Sequence, residues 1–160
     1  MKIEKNNIFR LAASIIVCQL AGAFGSIFTA KTVSTWYLTL NKPFFNPPGW
    51  LFGPVWITLY TLMGIALYFV LSKGLDRIEV KNAFFVFAAQ LALNALWSVL
   101  FFGLRNPMLA FFEIILLWAS ILVSIFLFYR IDRKAAYLLI PYILWVSFAA
   151  VLNCAIWLLN

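Results

Sequence analysis

The sequence predicts an all-α integral membrane bundle of five transmembrane helices, and three observations carry that prediction. Of the 160 residues, 66% are hydrophobic and only 11% are charged, too little polar material to cover a water-soluble globule. The apolar residues fall into five stretches of about 20 or more, the length a helix needs to cross a hydrocarbon core about 30 Å thick. Those stretches are continuously apolar instead of alternating, which excludes a β-barrel, and a helix satisfies its own backbone hydrogen bonds in lipid. A single transmembrane domain over residues 1–160 is therefore expected.

The first span is expected from about Ile8 to Ala30. This helix begins with Met1, Lys2, Lys5 and Arg10 and then turns apolar in the manner of a signal peptide, but its apolar stretch is too long for one. Ser14, Cys18, Gly22, Ser26 and Ala30 recur four apart; such a stripe either lets another backbone approach closely or faces lipid. The second span, from about Trp50 to Leu71, carries Trp56, Tyr60 and Gly64. The third, from about Val80 to Phe102, places Gln90, Asn94, Trp97, Ser98 and Phe101 along one side. Amides in hydrocarbon need partners, so that side is turned away from lipid; Gln90 and Asn94 either bridge neighbouring helices or meet a ligand.

The fourth span, from about Pro107 to Tyr129, contains Glu113, the only carboxylate deep in a helix. An intramembrane acid is a functional candidate by default. Near its helix end, however, Glu113 can be neutral, reach outward, or bond an indole or hydroxyl, and that structural role is the simpler reading. The fifth span, from about Ala135 to Leu159, holds Pro141, which removes a backbone donor and invites a kink. Beyond it Trp145, Phe148, Ala149, Leu152, Asn153 and Ile156 form a stripe. Convergence of the second, third and fifth spans would enclose a flat, mostly apolar slot with aromatic walls, suited to a large planar ring system rather than a sugar or an ion.

Among the connections only residues 31–49 are long enough for a structure of their own. Pro43, Pro47 and Pro48 restrict that backbone, and Trp36, Tyr37, Phe44 and Phe45 would not be left in water. A lid packed over the outer mouth is expected, with an aromatic segment resting on the headgroups as the alternative. The excess of 12 Lys+Arg over 5 Asp+Glu is a topology signal, not a nucleic-acid one. Lys2, Lys5, Arg10, Lys73, Arg77, Lys81, Arg130, Arg133 and Lys134 fall on one side of the membrane, and Lys31, Lys42 and Arg105 on the other. The amino terminus is therefore expected in the cytoplasm of a prokaryotic cell.

Chemistry is bounded by what is missing. The chain has no His, and it has no carboxylate cluster, zinc-spaced Cys pair or Gly-rich phosphate loop, so no metal site and no resident cofactor are expected. Cys18 and Cys154 read as small apolar packing residues. Aromatic rings make up 19% of the chain, including 7 Trp, and the functional argument rests on those that share a face with a buried amide.

Three runs stand in order along the chain. They are Trp36-Tyr37-x-x-Leu40-x-Lys42-Pro43 followed by Pro47-Pro48 and Trp56, then Gln90-x-x-x-Asn94-x-x-Trp97-Ser98 with Phe101-Phe102, and then Pro141-Tyr142-x-x-Trp145-x-x-Phe148-Ala149-x-x-Leu152-Asn153. With these runs the sequence resembles, over nearly its whole length, the translocator protein family, also called tryptophan-rich sensory proteins or peripheral-type benzodiazepine receptors. The resemblance implies a five-helix bundle, commonly a homodimer in contact with membrane lipid, that acts as a receptor or sensor. Its ligands would be tetrapyrroles of the protoporphyrin and haem-related type and compounds of the benzodiazepine-receptor class. Carried over by position, the ligand pocket would comprise Trp36, Tyr37, Pro43, Phe45, Trp56, Tyr60, Gln90, Asn94, Trp97, Ser98, Trp145, Phe148 and Ala149. Some bacterial relatives degrade protoporphyrin in light, and by resemblance Trp56 and Trp145 would be the catalytic pair here. Transport of porphyrin or another hydrophobic ligand across the membrane is the alternative function; no inverted repeat or pair of broken helices favours it.

The departures from the family pattern also carry information. Phe45 stands where the family often has Trp, which keeps the ring and loses an indole donor. The sterol motif that ends the fifth helix of animal members is replaced by Leu152-Asn153-Cys154-Ala155-Ile156-Trp157-Leu158-Leu159, so sterol transport is not expected. The similar pattern of Leu62, Tyr68 and Lys73 is of a kind that is frequent by chance.

Overall fold

The computed structural model describes residues 2–160, with side chains described from Asn7 onward, so Lys2 and Lys5 lie outside the described side chains. The described residues form only helices and turns: α1 (Lys2–Thr32), a short α2 (Trp36–Thr39), a 3₁₀ turn (Gly49–Leu51), α3 (Phe52–Leu71), α4 (Ile78–Ser98), a π turn (Val99–Gly103), α5 (Pro107–Ile131), α6 (Arg133–Leu138) and α7 (Ile140–Leu159). Five segments are long and apolar enough to cross a membrane, as the sequence predicts: Asn7–Thr32, Gly49–Leu71, Ile78–Gly103, Pro107–Ile131 and Arg133–Leu159.

The helices close into a ring in the order α1, α3, α6 with α7, α5, α4, so α3 packs more on α1 than on its successor α4. Small residues allow the first of these contacts. A Cβ on Gly64 would fall 2.5 Å from Ile15 Cα, so only glycine lets the two backbones come this close. The stripe expected on α1 is only partly used: Ser14 and Cys18 are buried, whereas Ser26 and Ala30 are exposed. Residues four apart advance about 40° around a helix of 3.6 residues per turn, so a stripe of five positions rotates off a straight contact line.

Local signals set the helix ends. Asn106 caps α5 by accepting from the Leu109 N–H at 3.0 Å, and Pro107 occupies the first turn, where a missing N–H does no harm. Asp132 caps α6 by accepting from Lys134 N–H at 2.9 Å and also pairs with Lys73 Nζ at 2.9 Å, tying the α3–α4 connection to the α5–α6 junction. The Lys73 hydrogen bond is the main reason its carboxyl is held below the ordinary Asp value. Pro141 breaks the fifth span at Leu139, where the chain tightens to a bond from Leu139 N–H to Ala136 C=O. That break has a consequence for shape. On the near side of it α6 packs closely on α3, whereas on the far side α7 scarcely touches α3. The two helices splay apart toward the end that carries residues 31–49.

Candidate functional site

The splay leaves a cavity of about 650 Å³ in that half of the bundle, within the range typical of small-molecule sites. Helix α3 contributes Phe52, Trp56 and Tyr60, one turn apart on its inner face. Helix α4 and the π turn contribute Asn94, Trp97, Ser98, Phe101 and Phe102; α7 contributes Trp145, Ala149, Leu152, Asn153 and Ile156. Helix α1 supplies Gln19, Gly22, Ala23, Ser26 and Thr29, and Val33, Tyr37 and Gly49 from the connection, with Gly53 and Ile57 of α3, complete the lining. Among the described residues no charged side chain lines it.

The π turn explains how two consecutive aromatics serve one wall. On a regular helix Phe101 and Phe102 would point about 100° apart. Here Leu104 N–H reaches back five residues to Val99 C=O at 2.7 Å, the turn widens, and both rings are buried. Arg105, at φ 53°, then reverses the chain into α5. Trp97 stacks on Phe101 with centroids 5.0 Å apart, and Trp56 stacks on Tyr60 at 5.4 Å. Gly22 makes room for that second pair, because a Cβ there would fall 2.2 Å from the Tyr60 ring.

A line of hydrogen bonds runs from the cavity into the core. Tyr60 donates to Asn94 Oδ1, Asn94 Nδ2 donates to the Tyr142 oxygen at 3.1 Å, and the Tyr142 hydroxyl donates to Gln90 Oε1 at 3.0 Å. One amide thus bridges α3, α4 and α7 while still facing the cavity. A second amide behaves alike: Asn153 accepts from the Trp97 indole at 3.0 Å and donates to Pro107 C=O at 2.7 Å, joining α4, α7 and α5. Gln19 holds α1 to α3 through Ile57 C=O at 3.0 Å and Thr61 Oγ1 at 3.1 Å.

The residues expected at the site fall into two groups. Tyr37, Trp56, Tyr60, Asn94, Trp97, Ser98, Trp145 and Ala149 line the cavity itself. Trp36, Phe45, Phe148 and Gln90 stand behind that wall. Trp36 packs on Phe101 at 5.7 Å, Phe45 on Phe148 at 6.3 Å, Phe148 on Trp145 at 5.5 Å, and Gln90 is buried one turn beyond Asn94. Pro43 turns the connection, its carbonyl accepting from Asn46 N–H at 3.0 Å. The α1 wall, Phe52, Phe102 and Asn153 are additional lining. Asn153 carried a signal in the sequence as a polar residue on the α7 stripe; on α1, Gly22 and Ser26 stood out only as members of the small-residue stripe, and Gln19 was a lone amide with no pattern around it.

Residues 31–49 divide between bundle and surroundings. Tyr37 packs between Phe101 and Phe102, its hydroxyl donates to Asn46 Oδ1 at 2.9 Å, and burial raises its phenol above the ordinary value. Leu38, Phe44 and Trp50 point outward. The segment is pinned across the mouth by Asn160: Asn41 N–H donates to Asn160 Oδ1 and Asn160 Nδ2 donates to Asn41 C=O, both at 3.0 Å. Glu113 neither reaches outward nor bonds an indole or hydroxyl among the described residues, which leaves the neutral form of the three structural readings. It is buried, lies outside the cavity lining, and neither carboxylate oxygen has a hydrogen-bond partner among the described residues.

A model of the TspO/MBR family matches residues 14–158. The chain belongs to the TspO/MBR family. It is 48% identical over 155 residues to the tryptophan-rich protein TspO of Archaeoglobus fulgidus, covering 96% of this chain and 99% of that relative. It is 46% identical over 153 residues to the tryptophan-rich protein TspO of Chlorobaculum tepidum, covering 96% of this chain and 97% of that one. The translocator protein of Homo sapiens is 36% identical over 153 residues, 93% of this chain and 86% of the human protein. As a member of this family with five spans, the chain is a multi-pass membrane protein, and its bacterial and archaeal relatives fit a prokaryotic membrane.

Proposed function

We propose that the cavity takes a flat, largely apolar ligand of the tetrapyrrole class, and that the protein is a membrane receptor or sensor for it. The observation that carries this reading is the lining: Trp56, Tyr60, Trp97 and Trp145 around about 650 Å³ of space without a charged side chain. Such walls favour dispersion and stacking over a planar macrocycle, and the already bonded amides orient it without competing for water. Flat synthetic ligands of the benzodiazepine-receptor class suit the same walls. With no His in the chain, binding does not depend on a proximal imidazole, so metal-free porphyrin should compete well with haem.

Titration of tryptophan fluorescence with protoporphyrin tests this reading. Saturable micromolar quenching is expected in the wild type, weakened about tenfold in Trp145→Ala; undiminished affinity in that variant would overturn it. The light-driven step belongs to the same reading. An indole beside a photoexcited porphyrin can donate one electron to it; the porphyrin radical anion passes that electron to dioxygen as superoxide, which oxidises the macrocycle, and the indole radical cation loses its N–H proton to leave a neutral tryptophanyl radical. Bound protoporphyrin is then expected to disappear under illumination in air faster in wild type than in a Trp56→Phe, Trp145→Phe variant; equal rates would leave a receptor without turnover. We also place the amino terminus in the cytoplasm, from the clustering of Lys73, Arg77, Lys81, Arg130, Arg133 and Lys134 at one end, and take the protein to be a homodimer. Reporter fusions at the carboxy terminus and light scattering of the purified protein test those two statements.

A further inference from the structure

Gln90 ends the line of hydrogen bonds with a loose group. Its Oε1 accepts from the Tyr142 hydroxyl at 3.0 Å, but its Nε2 has no hydrogen-bond partner among the described residues, although Gln90 is only 1% exposed. A buried donor left unbonded is costly, so the orphan bears on how the line is arranged. Every bond in it points away from the cavity: Tyr60 donates to Asn94 Oδ1, Asn94 Nδ2 to Tyr142, and Tyr142 to Gln90. A hydroxyl carries one hydrogen. With its own spent on Asn94, the Tyr60 oxygen offers a ligand a lone pair and no donor. The same side chains can also be bonded the other way. If both amides turn over, Gln90 Nε2 donates to Tyr142, Tyr142 to Asn94 Oδ1, and Asn94 Nδ2 to Tyr60. The number of bonds is unchanged, the orphan becomes Gln90 Oε1, and the Tyr60 hydrogen is free to enter the cavity. Asn94 keeps one spare N–H and one spare lone pair in either direction, so it discriminates less than Tyr60.

We propose that Gln90, which stands outside the cavity lining, is a positioning residue that sets the direction of this line and so makes Tyr60 a reader of ligand N–H donors, a role that rests on the cavity being the ligand site. In the observed direction a flat ligand with a lactam or pyrrole N–H within reach of Tyr60 finds an acceptor there. A ligand that presents only a carbonyl or ether to Tyr60 meets a lone pair and has to reverse the whole line to be received. Replacing Gln90 by an apolar residue takes away the acceptor at the far end. Tyr142 then satisfies its hydrogen only by turning it to Asn94 Oδ1, which imposes the reversed direction and aims the Tyr60 hydroxyl at the ligand. A side chain one turn behind the cavity wall thereby selects the polarity of the group that faces the ligand.

Two ligands that differ in one N–H test this role: a 1,4-benzodiazepin-2-one with a free lactam N–H and its N-methyl derivative, each titrated against tryptophan fluorescence of the whole protein in detergent, beside protoporphyrin. Wild type should bind the N–H compound about tenfold more tightly, the scale of one buried hydrogen bond. Gln90→Leu should bring that ratio to about one or below with helical content kept. A side chain that only packs would, when replaced, weaken both compounds alike; an unmoved ratio in Gln90→Leu would therefore overturn the proposal. Tyr142→Phe separates Gln90 from Asn94, so adding Gln90→Leu to it should leave the ratio where Tyr142→Phe alone puts it, and a further change would also count against the role. Equal affinities in wild type with protoporphyrin still quenching would overturn the role of Gln90 and leave the receptor intact. Selective binding of the N–H compound without saturable quenching by protoporphyrin would support the role and remove the tetrapyrrole as ligand.

Discussion

Asn94 joins three helices through one side chain, and its position shows why amides belong in this interior. Tyr142 is the hidden member of the set: buried, absent from the cavity lining, and bonded to both Asn94 and Gln90. Tyr142→Phe leaves Asn94 Nδ2 and Gln90 Oε1 unpaired; with interhelical bonds in membranes averaging about 0.6 and reaching about 1.7 kcal/mol, a loss of about 1–2 kcal/mol is expected in detergent unfolding. An unchanged unfolding midpoint would show that the line of bonds contributes nothing. Gly22→Ala acts on the site instead. Its methyl would displace the Tyr60 ring and Trp56 stacked on it, so protoporphyrin affinity should fall about tenfold with the helical content kept. The sequence pattern identified Asn94, Trp97 and Trp145 by shared helix face and polarity. It missed Gly22 and Gln19 because a small residue or a lone amide reads alike whether it meets lipid, a helix or a cavity.

Among elements, the break before Pro141 decides how far α7 leans from α3. Pro141→Ala restores the donor and lets α6 and α7 run as one helix. Protoporphyrin affinity should then drop about tenfold as the cavity narrows, with thermal stability equal or higher; unchanged affinity would show that packing, not the proline, sets the splay. The kink was legible from the proline, whereas its outcome was not, since a kink has a direction only once neighbouring helices are in place. The π turn was not legible at all: Val99–Gly103 continues the α4 pattern, and only the burial of adjacent Phe101 and Phe102 calls for the wider turn. At the opposite end the Lys73–Asp132 pair gives a pH dependence. Because Asp132 has its folded value lowered, its stabilising contribution is complete above about pH 4 and is lost as pH falls through the folded value. Asp132→Asn should lower the melting temperature near neutrality and flatten the acid limb of the stability profile; parallel profiles would show that the pair is energetically silent.

For the whole molecule, helix order in the ring matters more than helix order in the chain. The aromatic faces of α3, α4 and α7 enclose one space because α6 returns beside α3 and α7 splays away from it, and α1 closes the side that the sequence left unassigned. The connection over residues 31–49 then crosses the mouth and is held by the Asn41–Asn160 pair. Asn160→Ala removes both side-chain hydrogen bonds to Asn41, each contributing about 0.5–1.5 kcal/mol, along with the bond to Ile156 C=O, so protoporphyrin should dissociate several-fold faster in stopped-flow displacement. An unaltered off-rate would mean that ligand does not pass beneath this segment.

By itself the sequence determined the membrane as solvent, five helices as the units, and the faces on which amides and aromatics must be turned inward. Each of these follows from local composition and from the cost of leaving backbone and polar side chains unbonded in hydrocarbon. Only the tertiary structure decided which faces meet. The ring order, the splay between α3 and α7, the role of α1 as a wall and the clasp at the mouth all depend on contacts between residues far apart in the chain. Those contacts are set by fine fit, such as Gly64 against Ile15, where a single methyl group changes how closely two helices approach.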